Sequence, residues 1–225
     1  MSDHRPAPSG LTLSIVARLL PLFALSVGCF HFGRLPAREL YRISLPESAM
    51  VDSSTAPGSG VTMTALAGTL GIAQYATPGV YGDPLIVFRI DDTQYGSYPS
   101  REWAVPLSDQ LGVLTERVLA RVPLTAPRAV FDPPSRRAQT YIWRGTVREF
   151  EEVDRGSAVL AAVRIDVRIA RADDDSIVWS GSSRLERAAE PSNMPGIVQT
   201  LSALADEVLT DLATRARRDL LAKRP

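Results

Sequence analysis

Cys29 is the residue whose chemistry the sequence defines best. It is the only cysteine of the chain, so an intrachain disulfide is excluded. An apolar run at 19–28 follows Arg18 and ends in Gly28, directly before this thiol. A basic residue, a short apolar segment and a small residue before a cleavage point are the layout of a signal peptide. The sequence therefore predicts a signal peptide at residues 1–28.

The pair Gly28-Cys29 resembles a lipobox, in which a diacylglyceryl group is attached to the cysteine thiol before the signal peptide is removed. One position departs from the pattern, because Ser26 stands where lipoboxes usually have Leu. We predict that Cys29 is lipidated. The alternatives are an ordinary secretory signal and a transmembrane anchor, but the run at 19–28 is too short to span about 30 Å of hydrocarbon at about 1.5 Å per residue.

The residues after Cys29 suggest where the protein is anchored. In the bacterial lipoproteins that this segment resembles, Asp after the cysteine often retains the protein at the inner membrane, and this chain has Phe30. We therefore expect the periplasmic face of the outer membrane. Residues 29–38 are predicted to form a lipidated tether, and residues 39–222 a single domain. Two or more acyl chains hold a protein on a bilayer stably.

Composition argues against several classes of function. The chain has 25 basic and 25 acidic residues, so it lacks the basic face that binding to nucleic acid requires. Its two histidines, His4 and His31, lie in the predicted signal peptide and tether. A domain without Cys or His has no Ser-His-Asp triad, no Cys–His pair and no ordinary zinc site. We expect no catalytic residue, no cofactor and no metal.

Carboxylates are the remaining candidates for chemistry. Glu149, Glu151 and Glu152 could serve an envelope hydrolase that uses carboxylates alone. In a strand, however, Glu149 and Glu151 share a face beside Arg148, which favours a surface charge ladder. The run 173–175, three Asp residues, lacks the Gly and the distal Glu of a calcium loop, and we interpret it as a hairpin turn.

Hydrophobic periodicity predicts an α+β fold, in which two amphipathic helices pack on a mostly antiparallel sheet of five to seven strands. The clearest period-2 signal runs from Val163 to Ile169, in the middle of a three-stranded meander between residues 140 and 189. Residues 47–59 are expected to form a loop. Other strands are expected at 39–46, 61–75, 85–90, 93–98 and 128–132. The buried helix stripes are Leu107, Leu111, Leu114, Val118 and Val122, then Ile197, Leu201, Leu204, Val208 and Leu212.

The segment 95–107, which leads from the fourth of these strands into the first helix, is rich in aromatic residues. Its candidate partner-binding residues are Tyr95, Tyr98, Arg101 and Trp103. In one interpretation Trp103 closes the end of the core while Pro106 begins the helix. In the other, Tyr95, Tyr98 and Arg101 contact a partner or lipid.

Several of these segments together resemble a known family. They are 84–89, the tyrosine-rich turn, Trp103-Ala104-Val105-Pro106-Leu107, the first strand at 41–46, and Val178-Trp179 before the final helix. Over roughly residues 37–222 they look like the ABC-type transport auxiliary lipoprotein family, which includes the lipoprotein of the paraquat-inducible operon.

The resemblance implies a non-catalytic periplasmic component. Such a protein accompanies an inner-membrane ABC permease and ATPase and an MCE-domain protein that move phospholipid or other hydrophobic molecules between membranes. Some members assemble into rings, so a homo-oligomeric ring is implied as well. The rival interpretation is a lipoprotein regulator of cell-wall synthesis or envelope assembly. Regulators of this kind use a long tether, and the short tether at 29–38 counts against it.

Overall fold

A computed structural model of the chain describes residues 37–44, 64–91, 93–133, 135, 138–156 and 158–223. The predicted signal peptide, Cys29, the tether up to residue 36 and the loop at 47–59 lie outside these residues. Within them the chain forms eight strands and two helices. These are β1 (Glu39–Tyr41), β2 (Leu70–Ile72), β3 (Leu85–Ile90), β4 (Gln94–Trp103), α1 (Leu107–Arg121), β5 (Val130–Phe131), β6 (Tyr141–Asp154), β7 (Val159–Arg171), β8 (Ile177–Ala188) and α2 (Met194–Ala222).

The long strand β6 lies at the centre of the sheet. β7 pairs with it antiparallel from end to end, and β8 continues outward in the same way. Two strands share the other side of β6. β2 pairs with its amino-terminal part, where Leu70 lies beside Tyr141, and β3 with its carboxyl-terminal part, where Phe88 lies beside Glu152. β5 lies beyond β2, while β4 and then β1 lie beyond β3.

The α+β fold class and the antiparallel meander β6–β7–β8 are confirmed. The sheet is mixed, however, and has eight strands where five to seven were expected. β2 and β3 run parallel to β6, and β1 runs parallel to β4. Periodicity identifies a strand but not the direction of its neighbours. That direction depends on the crossover connections that parallel strands require.

Both helices lie on one face of the sheet, which we call the helix face. Alternate residues of β7, from Val163 to Ile169, are fully buried there. The stripes predicted for both helices are confirmed, except that Val122 lies just past the end of α1 and is only half-buried. α2 begins as predicted at Asn193, whose side chain accepts a hydrogen bond from the backbone N–H of Gly196 at 3.0 Å. The core is therefore a layer of aliphatic side chains between sheet and helices.

The face of the sheet that neither helix covers is called the open face. A β-bulge in β6 determines which side chains of this strand lie on it. Val147 pairs with Ile165 and Phe150 with Val163, so β6 uses one residue more than β7 in this stretch. Val147 and Phe150 both belong to the core on the helix face. Because an extra residue reverses the alternation of side chains, Glu149 and Glu151 lie on the open face.

Two predicted strands are shorter than expected in the part of the chain that the structure describes. Of residues 64–75 only Leu70–Ile72 form a strand, β2, and of residues 39–44 only Glu39–Tyr41 do, as β1. Ala65 and Leu66 are nevertheless buried. The backbone N–H of Leu66 donates to the carbonyl of Leu124 at 2.8 Å instead of joining a ladder. Apolar residues in this segment thus indicate burial, and the extended strand prediction was wrong.

Candidate functional site

Side chains from three strands meet near the β1 edge of the sheet, and we call Glu39, Tyr98, Arg101 and Glu152 the edge cluster. β1 pairs parallel with β4, which places Glu39 beside Arg101. Arg101 Nε lies 3.3 Å from Glu39 Oε2. The guanidinium carbon of Arg101 lies 4.6 Å from the centre of the Tyr98 ring, within cation–π range. Tyr98 OH donates to Glu152 at 2.8 Å, so the cluster connects the edge strand to the central one.

An irregularity in β4 brings Tyr98 and Arg101 together. Leu85 pairs with Glu102 and Val87 with Ser97, so β4 advances five residues while β3 advances two. Pro99 lies in this stretch. Proline has no N–H to give to a β-ladder, and in sheets it is found at edges and bulges. The sequence at 97–101 therefore favours a break in pairing at the position where the aromatic ring and the guanidinium meet.

The inner and outer parts of the edge cluster differ in their electrostatics. Burial raises the pKa of Tyr98 to about 12, and its hydrogen bond to Glu152 acts in the same direction. Burial also raises the pKa of Glu152, although the hydrogen bond from Tyr98 opposes this shift. At the exposed end, Tyr41 OH donates to Glu39 at 2.6 Å and lowers the pKa of that carboxyl. The cluster therefore has an exposed ion pair, Arg101 with Glu39, and behind it a partly buried hydrogen bond between Tyr98 and Glu152.

The structure separates Tyr95 from the other predicted site residues. Tyr95 lies directly opposite Arg89 in the β3–β4 ladder, and its side chain is half exposed on the open face. The Tyr98 ring instead contacts Phe88, with ring centres 5.0 Å apart. Since consecutive residues of a strand point to opposite faces, Tyr95 and Tyr98 lie on opposite sides of the sheet.

Trp103 is a core residue. Its side chain is only 6 % exposed, and its ring meets Phe150 edge to face with centres 5.6 Å apart. A ring in this position offers almost no surface to another molecule. It fixes the end of β4, and Pro106 directly precedes α1. The structure thus brings Tyr98 and Arg101 together at one surface and assigns Trp103 to the packing behind them.

A second polar group, the buried polar cluster, lies on the open face and consists of Tyr81, Arg89 and Glu151. Arg89 Nε donates to Glu151 Oε1 at 2.6 Å, and Tyr81 OH donates to the other carboxylate oxygen. Tyr81 belongs to a 3-10 turn, Gly79–Gly82. The Glu151 side chain has no exposed surface. The expected surface charge ladder is therefore wrong for Glu151, because this turn covers it.

Sequence reasoning missed this cluster, although one signal was present. Arg89 is the only charged residue in β3, a strand that is otherwise apolar. Burying a charge is costly unless an opposite charge accompanies it. An arginine in a buried strand therefore predicts an acidic partner on a neighbouring strand. Three glutamates occur in β6, and only the tertiary pairing of β3 with β6 selects Glu151.

The carboxylates of β6 do not form an open acid–base pair. Glu151 and Glu152 point to opposite faces, and both oxygens of Glu151 accept hydrogen bonds within the buried polar cluster. Glu149 shares the open face with Glu151, but it accepts a hydrogen bond from Arg184 Nε at 2.8 Å. A substrate would have no access to Glu151. The geometry therefore offers no support for the carboxylate hydrolase.

The hairpin interpretation of residues 173–175 is confirmed. They join β7 to β8, and the backbone N–H of Ser176 donates to Asp174 Oδ1 at 2.9 Å. Asp175 forms an ion pair with Arg144 at 2.6 Å.

In the part of the chain that the structure describes, no three His, Cys, Asp or Glu side chains are grouped closely enough to hold a metal. No helix among the described residues is long and apolar enough to cross a bilayer.

Comparison with known proteins gives a family and a fold. The family model of the ABC-type transport auxiliary lipoprotein component matches residues 53–213. No curated protein matches the sequence. The chain is similar in structure to protein XCC0632 from Xanthomonas campestris, described under the family name DUF330. The TM-score is 0.59 and the identity 18 %, and the match covers 71 % of this chain and 89 % of that chain.

A second solved structure, described only as an uncharacterized protein, is also similar to this chain. The TM-score is 0.59 with 17 % identity, and the match covers 80 % of this chain and 98 % of that one. At such low identities, the two structures show that the fold is shared.

Proposed function

This chain belongs to the family of ABC-type transport auxiliary lipoprotein components, and we propose that it is a lipid-anchored, non-catalytic accessory of an ABC/MCE-type system for lipid transport between membranes. The observation that carries the proposal is the family match over residues 53–213, which includes most of the folded domain. In this function Cys29 holds the domain at the periplasmic face of the outer membrane. The domain docks onto the MCE-domain protein or the ABC permease of the same system, either alone or as a homo-oligomeric ring.

The edge cluster supports a docking function for this side of the domain. β1 pairs with β4 alone among the described strands, so its other side has backbone groups that a partner strand can join. Leu40 is 62 % exposed next to Glu39, and the Arg101 side chain is one-third exposed. An apolar side chain, a guanidinium and a free strand edge together suit a protein partner.

The tether limits where docking can occur. Arg38 follows Cys29 by nine residues. An extended chain spans at most about 3.3–3.6 Å per residue, so Arg38, directly before β1, stays within roughly 30 Å of the anchored cysteine. In the proposed function, the partner therefore meets the edge cluster close to the membrane that carries the anchor.

Affinity capture of the full-length lipidated protein from envelope extracts tests the docking proposal. We expect the wild-type protein to recover an MCE-domain protein or permease, and Arg101→Ala to lower that recovery severalfold. The matched control is Arg187→Ala, which removes another exposed arginine from an ion pair, that with Glu207, on the opposite edge strand β8. This control should leave recovery unchanged.

Four results would count against parts of the proposal. Recovery without any transporter component contradicts the transport function, and recovery of a wall synthase instead favours the rival regulator. If Tyr95→Ala abolishes recovery while Arg101→Ala does not, the partner binds the open face. A Cys29→Ser variant should not acquire the diacylglyceryl group, and its retention in membranes at the mass of the processed wild-type protein contradicts the anchor.

A further inference from the structure

The open face contains a groove that the proposed function does not use. It encloses about 470 Å³ and lies across β6 and β7, between the segment that follows β2 and the β7–β8 hairpin. This volume is within the range of small-molecule sites. Small residues contribute part of its lining, namely Ala73, Ala76, Gly145 and Ala170. The polar part of the lining includes three arginines, Arg144, Arg148 and Arg168.

Two of these arginines have carboxylate partners and one does not. Arg144 pairs with Asp175 at 2.6 Å, and Arg148 pairs with Asp166 at 2.7 Å. Arg168 is exposed and has no ion-pair partner among the residues that the structure describes. The groove therefore has one positive charge in excess, and this charge is carried by a side chain that is free to bind an anion.

The register of the sheet places a second arginine beside this excess charge. Arg168 lies directly opposite Arg144 in the β6–β7 ladder. Like charges that face each other on neighbouring strands are destabilising. An anion between the two guanidinium groups would remove this repulsion. On the other side of β7, the residue opposite Arg168 is Ser180, which brings no acidic group.

We propose that this groove binds the phosphate group of a small phosphate ester, with Arg168 and Arg144 as its main ligands. Guanidinium groups bind phosphate through two parallel N–H···O bonds, and such charge-assisted bonds are the strong ones. The groove is large enough for the ester's organic part beside the phosphate. A lipid headgroup and a soluble phosphate ester share this chemistry. The inference does not depend on the proposed transport function.

Calorimetric titration of the full chain in a phosphate-free detergent with sn-glycerol 3-phosphate tests the proposal. We expect saturable binding for the wild type and affinity about tenfold lower for Arg168→Gln, because a hydrogen-bonded charge pair is lost. Arg168→Lys should bind more weakly than the wild type, since lysine keeps the charge but loses the two-pronged geometry.

Arg164→Gln is the matched control. Arg164 lies on the same strand and face, is exposed, and also faces an arginine, Arg184, but it does not line the groove. Its loss should change affinity less than about twofold. Equal weakening by Arg164→Gln and Arg168→Gln would show diffuse attraction and overturn the proposal. So would the absence of saturable binding at about 1 mM ligand. Thermal melting confirms that each variant is folded.

A second arm distinguishes the two sources of phosphate. The same titration is carried out with the protein anchored in vesicles that contain phosphatidylglycerol. If the lipid headgroup occupies the groove, the apparent affinity for sn-glycerol 3-phosphate falls in these vesicles for the wild type and not for Arg168→Gln. If affinity is the same in detergent and vesicles, the natural ligand is a soluble phosphate ester. Both results support the phosphate site.

Discussion

The two faces of the sheet differ in the side chains that they present, which are apolar on the helix face and mostly charged on the open face. On the helix face, the side chains of β7 between Val163 and Ile169 meet α2 in a continuous apolar layer. On the open face, the intervening residues of the same strand are Arg164, Asp166 and Arg168, and none of them is fully buried. One strand therefore supplies the core with one set of residues and a charged surface with the other.

The comparison shows where the open face departs from a simple solvated surface. Charged side chains there are exposed or partly exposed, except under the 3-10 turn, where Arg89 and Glu151 are buried. In that small region the open face depends on an ion pair rather than on apolar packing. On the helix face, any substitution that removes core volume should therefore lower the free energy of unfolding. On the open face, only substitutions in the buried polar cluster should lower it strongly.

The largest expected effect comes from opening a cavity on the helix face. Leu204 of α2 is fully buried, so Leu204→Ala should lower the free energy of unfolding by about 3–5 kcal/mol. Urea denaturation measures this change. Val113→Ala is the control, because Val113 of α1 is 41 % exposed and should change stability by no more than about 0.5 kcal/mol. Similar losses for both variants would contradict the assignment of the core.

A smaller loss is expected from Glu151→Gln, which leaves Arg89 buried without its counter-charge. We expect about 3 kcal/mol, at the low end for a broken buried ion pair, because Glu149 remains 4.0 Å from Arg89 Nη2. Urea denaturation again gives the value. Glu207→Gln breaks the exposed pair with Arg187 and should cost less than about 1 kcal/mol. If the two glutamate variants lose equal stability, the open face has no buried ion pair.

The smallest expected effect concerns Glu152, whose pKa is raised by burial. A carboxyl with a raised pKa in the folded protein contributes stability below its unfolded value, near 4.5, and this contribution is lost as pH rises through the folded pKa. Glu152→Gln should therefore melt at a higher temperature than the wild type at pH 7. We expect its free energy of unfolding to exceed that of the wild type by less than about 1 kcal/mol. The difference should disappear at about pH 4.

Tyr98→Phe sharpens the same experiment. The hydrogen bond from Tyr98 lowers the pKa of Glu152, so its removal should raise that pKa further and make the loss of stability with rising pH steeper. Melting temperatures of the three proteins between about pH 4 and 7 test this order. A Glu152→Gln difference that is independent of pH would show that Glu152 does not titrate in this window.

Much of the helix face could be predicted from the sequence. The stripe from Ile197 to Leu212 and the alternation from Val163 to Ile169 each repeat with the period of one element. Each of these patterns indicates which side of its helix or strand faces the core, and it does so within a single continuous segment. The hairpin at 173–175 was found for the same reason, because turn residues separate two such patterns.

The candidate site was less accessible to sequence reasoning. Tyr95 and Tyr98 are predicted to contact one partner, but they are three residues apart, and the alternation of side chains along a strand puts them on opposite faces. Likewise, Glu151 was expected at the surface because a regular strand and an uncovered face were assumed. Bulges and covering turns depend on the neighbouring strands, and the local pattern of β6 or β4 does not contain that information.

The sequence by itself determined the α+β class, the position of both helices and the apolar residues of the helix stripes and of β7, because each follows from a repeat within a continuous segment. The tertiary structure alone decided that Arg89 meets Glu151, that Arg101 stacks on Tyr98, and that Arg168 faces Arg144. These contacts join residues from different strands, and their formation depends on strand order and register. Order and register are set by the packing of the whole sheet against its helices.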